Sequence, residues 1–480
     1  MHNRKMPAFH GQIETVWQDT LSNLDLKVKQ TFKVLRIQSH LTAAGIRKWA
    51  GYPAAQLLYV LVNLVFMHIH SVGEFAHRTL VALSPAKKDA FYRFKNHDFS
   101  WRSFQWRLIG YLQQLLNWSQ YSPQDSYFVI DPTPLPKRGQ KMEELSWVYD
   151  HSQGKTVLGY EVLTLGLVNP QGFYPLDFGY HFSKDKGKHY RPAQPTQARS
   201  STARRLQEAR ISKLDLSLKM LKKARAQGIN AAYVLVDRWF TSPKFMQALR
   251  GLGLHALGRL KKDGTRYQYQ GRWLTLAQLY QIKKPDLVLD KELGYQLVNV
   301  AVTCPHGLAG NIVFSKGYQE PDLTHRPGAK LSPKPAWAAF FTTDTSLSAP
   351  EVVKKYMNRW SIEVFFKEAK TRLGLGQDQS RTFTAQLCAV TLVFLRYNLL
   401  AFLRAQQAQP ASIGELFRQV EQEIAPLSYL DQIRSYFRKF LLYTLEVIGQ
   451  WAHSLDQFRD CITIIINSIN EIPIGQECET

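Results

Sequence analysis

The chain has 480 residues, enough for two or three domains. Hydrophobic residues make up 45% and aromatics 12%, which excludes a disordered chain, while 61 Lys+Arg against 38 Asp+Glu leave a formal charge of +23. Such a field favours polyanions, and cations spread among Tyr, Trp and Phe point to a folded nucleic-acid surface rather than a basic tail.

In chain order, residues 1–122 read as helical. Gln12 to Leu24, Lys27 to Gln38, Gln56 to His68, Val72 to Ala82 and Trp101 to Trp118 have helical apolar spacing. Gly51-Tyr52-Pro53 and Leu83-Ser84-Pro85 break the run. The N-terminus has no apolar core of a signal peptide. Ser84 to Asn96 reads as a short basic helix whose Lys87, Lys88, Arg93 and Lys95 would face phosphates, or base edges in a helix-turn-helix. A solvated basic helix in an ordinary bundle explains it equally well.

At Ser126 the texture changes. Ser126 to Asp131 is a β-prone run ending in a carboxylate, and the P-T-P-L-P-K-R-G after it is expected to end the element. Thr156 to Val168 and Phe173 to Phe182 alternate as two more strands of a three-strand meander. His151 lies in a turn, and a surface role suits it better than a catalytic one. A basic, Pro- and Gln-rich loop follows with Lys184, Lys186 and Lys188, then a long helix from about Ala203 to Gln227. Ala231 to Asp237 is an apolar strand again ending in Asp, followed by Trp239, a helix from Pro243 to Gly251 and a strand from His255 to Leu260.

Residues 261–334 read as a β-rich insertion, and Pro335 to Thr343 as a strand. Tyr356 to Lys370 forms a helix started by S-A-P-E at Ser348 to Glu351, and residues 383–480 return to helices. The apolar run from Gln386 to Ala405 contains Arg396 and Asn398, so it reads as a buried helix, not a membrane span. Cys304, Cys388, Cys461 and Cys478 are far apart without a C-x-x-C, which excludes a disulfide framework and a zinc site.

On the Tyr356 to Lys370 helix, Tyr356, Arg359, Glu363, Lys367 and Lys370 share one stripe at roughly 100° per residue. Ile362, Phe365, Phe366 and Ala369 share the adjoining one. Salt bridges such as Arg359–Glu363 explain the polar stripe in any solvated helix. The upstream order of strands suggests more. The strand ending in Asp131 and the one ending in Asp237 can be neighbours in one sheet, with Glu363 approaching from a helix packed on it. Three converging carboxylates repel one another, and divalent cations relieve that. Each Asp has an ordinary alternative as a turn or cap residue, and Asp150, Asp177, Asp185 and Asp344 are rival carboxylates.

The spacing Tyr356-x2-Arg359-x3-Glu363-x6-Lys370 resembles the YREK signature of bacterial insertion-sequence transposases, the IS-four-like group of DDE enzymes. I-D-P-T-P-L-P-K-R-G and V-L-V-D-R-W-F resemble their first and second Asp regions, so the likeness spans about residues 126–375. It implies an α/β, ribonuclease-H-like mixed sheet within 123–382, flanked by a helical, DNA-binding region at 1–122 and a helical, dimerising region at 383–480. It implies a catalytic, metal-holding triad of Asp131, Asp237 and Glu363 with two Mg²⁺ or Mn²⁺ ions. Tyr356, Arg359 and Lys370 match the residues that hold DNA-end phosphates, with Lys367 on the same face. Trp239, Trp273, Trp337 and Tyr295 are aromatics that could stack a flipped base. The implied activity is cut-and-paste transposition by a homodimer on duplex DNA, in the bacterial cytoplasm and on the nucleoid. Two alternatives are a relative that binds DNA without cutting and a nuclease without strand transfer.

Overall fold

The computed structural model describes residues 27–48, 51–77, 86–150, 153–186, 190–194, 197–317 and 337–425. The expected Gln12 to Leu24 helix, His151, Lys188, Cys461 and Cys478 lie outside these. All twelve described strands join one mixed sheet, flanked by helices. Its path runs β2 (Ser146–Asp150), β3 (Lys155–Asn169), β1 (Tyr127–Pro136), β5 (Tyr233–Val236), β6 (His255–Arg259), β12 (Ala338–Thr342), β11 (Ala309–Lys316), β10 (Tyr295–Thr303), β7 (Arg266–Tyr269) and β8 (Arg272–Thr275). Off this path, β4 (Gly172–His181) pairs with β3 and β9 (Val288–Asp290) with β10.

The parallel pairs are β1–β5 and β5–β6, buried at the centre. The register runs from Tyr127↔Tyr233 to Ile130↔Val236, so Asp131 and Asp237 each follow the last paired residue of adjacent strands. Contrary to expectation, β1 does not stop at the prolines but continues along β3 to Pro136. The reason is parity. The Lys137 N–H donates to Leu158 O at 2.9 Å, so odd-numbered residues bond β3, and Pro132, Pro134 and Pro136 turn their missing donors to the edge that β5 has left. The meander has a fourth strand, β2, which sequence reading passed over.

The N-terminal helices are α1 (Lys27–Val34), α2 (Ile37–Ala43), α3 (Ala54–Asn63), α4 (Val72–His77), α5 (Lys88–Asn96) and α6 (Trp101–Leu115). The expected Lys27 to Gln38 helix breaks at Arg36, whose φ of 47° is left-handed. The expected long helix from Ala203 divides into α7 (Ser201–Glu208) and α8 (Lys213–Ala226). Ser212 causes the break, because its hydroxyl accepts the Asp215 N–H at 3.1 Å and caps a new helix. Then come α9 (Pro243–Gly251) and α10 (Leu276–Lys283). The latter, started by a Thr275–Gln278 capping box, was unforeseen in the β-rich stretch. Within that stretch β7 to β11 extend the central sheet through β12.

The helix expected from Tyr356 to Lys370 is two, α11 (Ala349–Met357) and α12 (Trp360–Thr371). Between them the chain tightens into three-residue turns, with Arg359 N–H bonded to Tyr356 O at 2.9 Å and Ile362 N–H to Arg359 O at 3.2 Å. Phe365 of α12 packs on Phe173 of β4 at 5.3 Å between ring centroids, as its apolar stripe requires. Finally α13 (Phe383–Ala405) is long and apolar enough to cross a membrane, yet 89% of its apolar window is buried inside the protein. It packs on β4 and against α1, α3, α5 and α6. Arg396 within it is buried, donating from Nε to Val62 O at 3.0 Å and from Nη1 to Leu373 O at 2.7 Å.

Candidate active site

Asp131 sits where β1 outlasts β5. It shares a face with Leu135, against which Gly376 lies just beyond α12. Burial raises its carboxyl pKa well above the ordinary range. Next in size is the repulsion of Asp237, opposed by Arg359 and reinforced by Glu363 and Glu161. The three sequence-predicted carboxylates therefore share one electrostatic site. Asp237 is half-buried and also does the work of a turn residue, accepting the Trp239 N–H at 2.9 Å.

Glu363, in the first turn of α12, is ion-paired with Arg359. So the salt bridge expected of an ordinary helix exists, and in this state Arg359 is a partner of Glu363, not a free phosphate clamp. Arg359 is buried, 6% exposed. Burial works against its charge, but Tyr356, Glu363 and Asp131 outweigh it and raise its pKa. Its Nε has no hydrogen-bond partner. Tyr356 is also not on an open stripe. It is 2% exposed and packs on Phe340 at 4.9 Å, because the break after α11 turns it into the core.

Lys370 is half-buried beside the carboxylates. Burial lowers its pKa against the pull of Asp150 and Asp131. Lys367 is exposed on the same helix. The other predicted DNA contacts stand on other elements. Lys87, Lys88 and Arg93 are exposed at and on α5, whereas Lys95 is buried and paired with Asp378, so it cannot face a phosphate. Lys184 and Lys186 are exposed beyond β4, the latter 3.9 Å from the Tyr190 ring centroid. Of the aromatics, Trp239 and Trp273 are exposed, while Trp337 stacks on Tyr280 at 4.5 Å.

Three of the four rival carboxylates have structural partners. Asp177 is buried with Arg102 at 2.9 Å, Asp344 accepts the Tyr233 hydroxyl at 2.7 Å, and Asp150 accepts Gln153 Nε2 at 2.9 Å. Sequence reading missed a further group. Glu161 of β3 meets His181 Nδ1 and Lys213 Nζ, each at 3.0 Å, and Lys213 Nζ lies 4.4 Å over the Trp239 ring. Burial would raise the Glu161 pKa, but His181 and Lys213 hold it below the ordinary value. The signal was a single carboxylate inside the apolar run of β3.

Among the described residues, no three His, Cys, Asp or Glu side chains stand together as a finished metal-ligand set. The donors nonetheless fit a hard divalent cation in kind. They are carboxylate oxygens only, and the mutual repulsion that raises Asp131 is what such an ion relieves.

Residues 48–275 match the model of a DDE superfamily endonuclease, and residues 195–399 match that of a Transposase DDE domain. No curated protein matches the chain. The first match spans Asp131 and Asp237, and the second spans Asp237 and Glu363. With the mixed sheet that sets the two aspartates side by side, the two matches support a DDE transposase, a nuclease-type enzyme of DNA transposition.

Proposed function

We propose that the protein cuts DNA at the terminal inverted repeats of an insertion sequence and joins the freed 3′ ends to target DNA. The observation that carries this is the parallel β1–β5 register, which sets Asp131 beside Asp237 where β5 ends, within electrostatic reach of Glu363. Asp131, Asp237 and Glu363 would hold two Mg²⁺ or Mn²⁺ ions. When bound, these activate the attacking oxygen and stabilise the leaving one.

The chain's own residues do the rest. Water attacks the phosphorus at the element end, and the P–O3′ bond breaks to leave a 3′-hydroxyl. That hydroxyl then attacks a target phosphodiester and releases a target 3′ end. Arg359 neutralises Glu363 until DNA arrives, then turns its guanidinium, with the spare Nε, to a phosphate beside the scissile bond. Lys370 supplies a second cation from the same helix, Lys367 a third at the rim. The buried phenol of Tyr356 fixes where Arg359 starts, with the guanidinium carbon 5.6 Å from its ring. Residues 1–122 would hold the repeat sequence, 383–480 a second copy of the chain, and the protein would work in the bacterial cytoplasm.

The test is Glu363→Gln on duplex DNA carrying the terminal repeats, with Mg²⁺. Nicking should fall by about 10³-fold or more. Retained nicking sinks the assignment. Nicking by the wild type without strand-transfer product would leave a nuclease, and binding without nicking a non-cutting relative.

A further inference from the structure

A cleft of about 510 Å³ lies between the start of α6, α7 and the far end of α8. Its lining is basic. Arg102, Arg205 and Glu208 form the floor with Asp177 beneath. Arg102 bonds Asp177 at 2.9 Å and Glu208 at 2.6 Å, and Arg205 bonds Phe178 O at 2.6 Å, so the floor is neutral as a set. The rim carries Arg107, Arg204 and Lys223, all exposed. None of the three has a carboxylate partner among the described residues. A rim of +3 over a neutral floor lacks its anion.

The cleft also has an aromatic wall. Trp106 lines the cleft at 3% exposure, and its Nε1–H has no hydrogen-bond partner. Trp106 thus stands in the wall of the cleft, where its indole N–H reports on what enters. Serine hydroxyls at Ser100, Ser103 and Ser201 add neutral donors.

The cleft is not the cleavage site. Lys213, at the start of α8, stands beside Trp239 and Glu161 near the triad, whereas Lys223 is ten residues on, about 15 Å along the helix. We propose that this cleft is a second phosphate site, which grips the backbone of duplex DNA away from the bond being cut. It rests on the DNA-cutting role above only in the choice of DNA over a free phosphate. Phosphate contacts of this kind position a protein on a duplex without reading its sequence.

The test compares wild type with the triple variant R107Q/R204Q/K223Q and with R107K/R204K, which keeps charge. Affinity for a duplex spanning the element end is measured against salt. The Gln variant should lose roughly tenfold in affinity at low salt, and its salt slope should flatten by between about 2 and 3, one unit per lost phosphate contact. The Lys variant should keep the slope. In parallel, the Trp106 indole N–H resonance, assigned through Trp106→Phe, is followed on adding the duplex or inorganic phosphate. A shift with the duplex supports the proposal. A shift with phosphate alone, with an unchanged salt slope in the Gln variant, overturns it in favour of a small anion. If the wild type nicks DNA while the Gln variant binds as tightly and with the same slope, only the second site falls. If the wild type neither binds nor nicks, the DNA-cutting role falls with it.

Discussion

Asp131 and Arg359 show what one position has to reconcile. A carboxyl whose folded pKa is raised favours the native state only below its unfolded pKa, and that contribution is lost as pH rises through the folded value. Without divalent ions the protein should therefore lose stability as pH climbs from about 4, and Asp131→Asn should remove that loss. At pH 8 in chelator, Asp131→Asn is expected to raise Tm by about 2 °C and to abolish nicking, as read by calorimetry and a nicking assay. Added Mg²⁺ should raise the wild-type Tm more at pH 8 than at pH 5, because a ligand must be deprotonated to bind. Lys370 separates binding from metal affinity. Lys370→Ala should weaken binding of DNA ends while the Mg²⁺-induced Tm shift persists, and Glu363→Ala should do the reverse. Equal loss of fold in both variants would return the helix to a plain salt-bridged one.

Elements were more legible than their ends. The two strands that bring Asp131 and Asp237 side by side could be read because apolar β-prone runs lead up to each charge. The partnership of Arg359 with Glu363 was legible as spacing, but which anion the cation serves is set by burial, and no pattern of letters reports that. The continuation of β1 through three prolines was not legible either, since it depends on β5 ending at Val236 in the register. The same holds for Glu161, whose His181 and Lys213 partners come from β4 and α8. What holds α12 at the site is small. A Cβ on Gly166 would lie 2.2 Å from the Phe173 ring, on which Phe365 packs. Gly166→Ala should thus cost about 1–3 kcal/mol in urea unfolding and slow nicking by displacing the helix that carries Glu363. Gly264→Ala, where a Cβ meets nothing within 4 Å, should do neither.

At the scale of the molecule, the N-terminal helices, α12 and α13 meet at Arg396. Its guanidinium satisfies carbonyls at the ends of α3 and beyond α12. Burial lowers its pKa to about 10, so it stays charged at neutral pH. Arg396→Met keeps the apolar stem but orphans those carbonyls, and should cost about 3 kcal/mol or more in urea unfolding. Survival of the full unfolding midpoint would show that the clasp is decorative.

That clasp also sets a clock. Arg396 and its acceptor Val62 are 334 residues apart in the chain. At translation rates of about 5–20 residues per second, the N-terminal helices wait on the order of tens of seconds for the segment that completes their packing. Both aspartates and Glu363 leave the ribosome before α13 does. A chain broken off short of α13 would carry the whole triad yet lack the helix on which β4 and α3 pack. Such a fragment would hold the three carboxylates around a sheet whose β4 strand has lost the helix it packs against.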